Sequence, residues 1–75
     1  MLMISVLSFN SLASTEVQSA EKYIVIGHVF ISGKTTSDEV ISGLKKKAEE
    51  ENAPYYKITA IGGNNELYGS AVLLK

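Results

Sequence analysis

Residues 22–39, KYIVIGHVFISGKTTSDE, decide the fold. Up to Ser32 the stretch is dense in β-branched and aromatic side chains, and it halts at Ser32-Gly33, so Lys22 to Ser32 reads as a strand. The remainder starts a helix. Thr36 and Glu39 have the spacing of a capping box, and Asp38 adds a second acid to a first turn whose exposed N–H groups favour negative charge. At about 100° per residue, Val40, Ile41, Leu44 and Ala48 form one apolar stripe, with Lys45, Lys46, Glu49 and Glu50 off it. From Lys45 to Glu51 each lysine has a glutamate four residues on, which is the pattern of a solvated helix face. Gly43 interrupts this helix at a cost of up to about 1 kcal/mol relative to alanine. Nothing adjacent in the sequence accounts for it.

Downstream, Asn52-Ala53-Pro54 ends the helix, because proline disfavours helical geometry in the residue before it. Tyr55 to Ile61 then alternates, with Tyr56, Ile58 and Ala60 on one face and Tyr55, Lys57 and Thr59 on the other, as in a half-buried strand. Gly62-Gly63-Asn64-Asn65 tolerates the positive φ of a hairpin turn, and Leu67 to Leu74 forms a third strand. The order is β-α-β-β. A right-handed crossover makes the first two strands parallel, and the hairpin turns the third against the second. Leu67 to Leu74 is uncharged, as suits a central strand, while Lys22 and Lys57 mark edges. The expected fold is therefore α+β with two layers: a three-stranded antiparallel sheet in the order 1-3-2, and one helix on one face. Gly69 and Ala71 are small enough to let that helix lie close.

The opposite face of such a sheet has no cover. The first strand is apolar on both sides, with Tyr23, Val25, Val29 and Ile31 on one and Ile24, Ile26 and Phe30 on the other, so its pattern leaves open which side meets the helix. A solvent face is normally more polar, and a domain this small has a marginal core. Self-association through this face or an edge is one expectation. The candidate interaction face comprises Ile24, Ile26, His28, Phe30, Tyr55 and Tyr68.

Upstream, residues 1–13, MLMISVLSFNSLA, hold nine apolar residues and no charge, and the first ionisable side chain is Glu16. The run is shorter than the roughly 20 apolar residues a membrane-spanning helix needs. It suits the apolar region of a secretory signal, and Ser11-Leu12-Ala13 supplies small residues at −3 and −1, so cleavage after Ala13 is expected. No lysine precedes the run, as a typical signal would have. The alternative is a buried N-terminal strand or helix, and a retained leader would suit a cytoplasmic regulatory subunit. The export reading divides the chain into a signal peptide at 1–13, a polar segment at 14–21 and one domain at 22–75. Of 34 apolar residues in 75, nine fall in the leader, leaving 25 of 62, about 40%, which is ordinary for a small soluble fold.

Composition narrows the chemistry. There is no cysteine, which removes disulfides, thiolate metal sites and cysteine nucleophiles. There is also no arginine, and seven lysines against eight acids leave a net charge of −1, so nucleic acid is not an expected partner. Gly33-Lys34-Thr35 lies between strand and helix, where a phosphate-binding loop ends, but the glycine required five residues earlier is His28. It reads as a turn followed by a cap. His28 is the single imidazole, with no acid within reach along its strand, and Glu49 to Glu51 lie on an exposed helix end, badly placed for catalysis. Tyr23, Tyr55, Tyr56 and Tyr68 read mainly as packing residues with wet hydroxyls. No catalytic residue, cofactor or metal site is expected.

Several stretches together resemble one family. They are the leader ending in small residues, Ile26-Gly27-His28-Val29, the capped Lys/Glu-rich helix, Tyr56-Lys57-Ile58-Thr59, and the hairpin Gly62 to Asn65 followed by Leu67-Tyr68-Gly69-Ser70-Ala71-Val72. Over about residues 14–75 the chain is similar to the YdgH/BhsA/McbA-like family of small exported proteins of Gram-negative bacteria. The resemblance implies a dodecin-subunit-like β-α-β-β domain, a periplasmic or envelope location, and a part in stress response and biofilm formation. It carries over no catalytic residue. The missing basic start and the very apolar Tyr23 to Phe30 depart from the family pattern. The expected function is non-enzymatic, through contact with itself, an envelope protein or a surface component. The alternative is a small-ligand or metal-ion module on the open sheet face.

Overall fold

A computed structural model describes residues 13–75. Apart from Ala13, the expected leader lies outside the described residues. The elements are β1 (Thr15–Glu16), β2 (Val25–Lys34), α1 (Ser37–Glu50), β3 (Tyr55–Gly63) and β4 (Leu67–Leu74). They build one four-stranded sheet in the order β1-β3-β4-β2, with β1 parallel to β3 and the other neighbours antiparallel.

The last three strands take the order expected of them, and β4 is indeed central. The expected sheet is nevertheless corrected: it has four strands and is mixed, in place of three antiparallel strands of dodecin type. The addition is β1, within the polar segment 14–21. It was illegible because two residues have no period, and Thr15 and Glu16 are both exposed. Its bonds are backbone ones, from Thr15 N–H to the Pro54 carbonyl at 3.0 Å and from Val17 N–H to the Tyr56 carbonyl at 2.9 Å. The first long strand also begins later than expected, at Val25, and runs on to Lys34.

The helix follows its sequence closely. Thr36 is extended, with its hydroxyl accepting from Glu39 N–H at 3.2 Å, and the Glu39 carboxylate reaches back to Thr36 N–H at 3.3 Å. Both halves of the capping box are made. At the other end Asn52 has φ 61°, Ala53 N–H bonds the Ala48 carbonyl at 2.9 Å, and Asn52 N–H bonds the Glu49 carbonyl at 3.1 Å. These are the two bonds of a Schellman closure, so a left-handed asparagine ends the helix just before Pro54.

Val40, Leu44 and Ala48 are fully buried and pack with Ala53, Tyr56, Ala71 and Leu73, against which Val29, Ile31, Ile58 and Leu67 lie. Val29 and Ile31 therefore face the helix, which settles the side left open by the first strand's pattern. Gly43 now has a reason: a Cβ there would collide with Ile31 Cδ1, so the glycine lets α1 settle on β2. Gly69 does the same beneath Val40 and Leu44, as its size suggested.

Three register shifts limit simple alternation. Between Val25 and Gly27 the ladder slips, turning Val25 out of the helix-facing set, and it is half exposed. Between Ile58 and Ala60 a second slip sets Ala60 opposite Ser70, so Ala60 is exposed and leaves the face shared by Tyr56 and Ile58. The third, between Ile31 and Lys34, contains Gly33 at φ 71°. A glycine at positive φ is what such a bulge favours.

Candidate functional site

The face away from α1 is built by the residues alternate to the core set. Across it run Lys57, Val72 and His28 in one row, and Ala60, Ser70 and Phe30 in the next. Thr59 shares the bulge with Ala60, and its hydroxyl lies 2.8 Å from that of Ser70. Tyr68 follows opposite Gly62, where a Cβ would come 2.8 Å from the Tyr68 hydroxyl. The bare glycine lets the phenol lie across β3. Phe30 and Tyr68 then stack, with centroids 6.2 Å apart and planes at 24°. Both are open to solvent, Phe30 by 59% and Tyr68 by 43%. An aromatic pair this exposed contributes little to the core and offers apolar area to a partner.

Of the six residues of the candidate face, His28, Phe30 and Tyr68 come together here, and Ile26 stands exposed beside them at the first bulge. Ile24 and Tyr55 stand apart. Ile24 exchanges backbone hydrogen bonds with Lys75 at 2.8 and 3.0 Å, which sets it on the parity of Leu73. Tyr55 is half-buried, its ring 4.7 Å from that of Tyr23. Leu74, opposite Tyr55, is fully buried although its parity is that of the open face. The segment leading into β2 thus covers one end of that face. No periodicity connects Tyr23 to Tyr55, so this partial cover was invisible in the sequence.

After Gly33-Lys34, the Glu39 carboxylate accepts from Thr35 N–H at 2.9 Å as well as from Thr36, and so takes two of the donors a phosphate there would use. These bonds, that from Thr35 foremost, hold the Glu39 carboxyl below its ordinary value of 4.5. Among the described residues, no three of His, Asp and Glu gather closely enough to hold a metal ion. Nor is any helix there long and apolar enough to cross a membrane.

At the opposite edge, Ser14 N–H donates to Glu49 Oε2 at 3.3 Å across 35 residues of chain. Tyr56 lies nearby, and its phenol is pushed above the ordinary value of 10.0 by burial first, then by Glu16 and Glu49. Nothing in the spacing of Ser14 and Glu49 signals this contact.

The sequence profile of the YdgH/BhsA/McbA-like domain matches residues 25–75, from the start of β2 to beyond β4. The chain belongs to the YdgH/BhsA/McbA-like family. Within it, the chain is 36% identical over 73 residues to the multiple stress resistance protein BhsA of Escherichia coli K12, covering 96% of this chain and 86% of that protein. Among solved structures it superposes on the C-terminal domain of YdgH from S. enterica with a TM-score of 0.72 and 25% identity, over 83% of this chain and 98% of that one. The N-terminal domain of a Salmonella typhimurium LT2 protein gives a TM-score of 0.73 at 20% identity, over 84% and 97% of the two chains, and supports the fold. The family's matched range omits β1.

Proposed function

We propose that this chain is an exported, non-enzymatic envelope protein of the stress response that acts by contact with another protein or a surface, through the open face of its sheet. The exposed Phe30–Tyr68 stack carries this reading, since it is apolar area that the core does not use. The stress role is supported by the name of its BhsA relative, and the periplasmic location by that of YdgH, which assigns it to the periplasm. A role in biofilm formation belongs to the same proposal. The leader 1–13 is removed after Ala13, and the segment 14–21 and domain 22–75 remain.

The mechanism needs no reacting group. Burying two aromatic rings against a complementary surface removes apolar area from water at about 25 cal/mol per Å². His28 and Lys57, in the adjacent row, orient a partner through polar contacts. In cells lacking the native chain, Phe30→Ser is expected to abolish protection against envelope stress while leaving periplasmic level and circular dichroism unchanged. Full protection by this variant would remove the face from the function. The alternative, a metal or small-ligand module, makes His28 its one imidazole. Copper or zinc titration of wild type and His28→Ala separates the two, because unchanged weak binding eliminates His28.

A further inference from the structure

We propose that processing after Ala13 creates a structural ion pair, in which the new α-ammonium group of Ser14 docks on the Glu49 carboxylate at the end of α1. The inference rests on the export reading and adds what the new terminus does. Hydrolysis of the Ala13–Ser14 peptide bond by a signal peptidase consumes one water. The hydroxyl oxygen stays on the Ala13 carbonyl carbon, which becomes a carboxylate, and the released nitrogen takes up protons to become an ammonium.

Four observations converge on this nitrogen. It already lies 3.3 Å from Glu49 Oε2. Sheet bonding by β1 starts one residue later, at Thr15 N–H, so the cut costs no ladder bond among the described residues. Ser14 is buried, with 3% of its surface exposed, and its Oγ has no hydrogen-bond partner among the described residues. Finally, α1 ends in Glu49, Glu50 and the cap Glu51, where the helix dipole disfavours negative charge. A cation at Ser14 offsets that. It replaces a neutral donor by a charged one and brings three protons where the amide has one. Because the Ser14 backbone is buried once the domain folds, cleavage precedes docking, and the order of events is export, cut, then closure of β1 on β3.

Glu49 of α1 faces this nitrogen, Glu16 follows two residues on in β1, and the Tyr56 phenol of β3 feels both carboxylates. The test uses protein isolated from periplasmic extract. Intact mass first reports the terminus; a chain that does not begin at Ser14 defeats the processing reading and this inference with it. For a chain that does begin there, the Ser14 α-amine is titrated by NMR. Burial opposes its charge and the Glu49 carboxylate favours it, so the decisive quantity is the difference between variants. The amine's proton affinity should fall at least about threefold in Glu49→Gln, and by clearly less in Glu16→Gln. Equal affinities in wild type and Glu49→Gln overturn the ion pair while leaving processing intact. If Glu49→Gln does not fold, Glu49→Ala is titrated in its place, and an amine affinity equal to that of wild type is decisive against the pair.

Discussion

Gly43 shows how a single atom sets the distance between two elements. Alanine would improve helix propensity by up to about 1 kcal/mol, yet its Cβ would strike Ile31 Cδ1. Overpacking of this kind costs about 1–3 kcal/mol. Gly43→Ala is therefore expected to lower the melting temperature, and Ile31→Val, which removes Cδ1, should recover most of the loss in the double variant. An additive double variant in thermal denaturation would contradict the contact. The anomaly at Gly43 was legible in the sequence, but its cause was not, because the partner belongs to a strand 12 residues earlier. Gly62 is parallel: it read as turn material, and its larger effect is to admit the Tyr68 ring on the open face.

At the level of elements, local chemistry was the most readable. Both halves of the capping box at Thr36 and Glu39 were visible as letters and are present as bonds. The folded state holds the Glu39 carboxyl below its ordinary value. Protons therefore bind the unfolded chain more readily, and the contribution of Glu39 is present above about pH 4.5 and lost as the pH falls through its lowered value. In acid titrations of stability, Glu39→Gln should lower stability at pH 7 and flatten the acid limb. At the far end, Asn52 pays for a left-handed conformation that glycine adopts freely, so Asn52→Gly is expected to raise the melting temperature, with a gain below about 1 kcal/mol. A decrease would show that the Asn52 side chain does more than end the helix. Strand faces were less readable than helix faces. A helix stripe survives small errors, whereas one inserted residue reverses a strand, as Val25 and Ala60 show.

For the whole molecule, the order of the three long strands followed from connection rules and the uncharged β4, whereas Lys22 and Lys57 misled as edge markers, since Lys22 precedes β2 and β3 lies between β1 and β4; the added strand depends on backbone bonds that no side-chain pattern announces. Removing one of those bonds measures how much β1 matters. Thr15→Pro deletes the N–H that reaches the Pro54 carbonyl, and it should cost about 1 kcal/mol. The corresponding fall in melting temperature is roughly 4–8 °C for a domain of this size. An unchanged transition would mean that β1 rests on the sheet without supporting it. The open face was legible as an excess of apolar residues in the first strand. Which of them gather was not, because the first bulge and the Tyr23–Tyr55 contact take Ile24 and Tyr55 away from Phe30 and Tyr68.

In the mixed sheet, Thr15 and Leu74 both pair with Tyr55. Two strand spacings, about 10 Å, therefore separate the beginning of β1 from the end of β4. The start of β1 and the end of β4 are thus near neighbours. In a chain beginning at Ser14, a short linker joining these points, with a new opening at Asn64-Asn65 in the hairpin, would preserve every strand neighbour while moving both ends to the opposite tip of the domain.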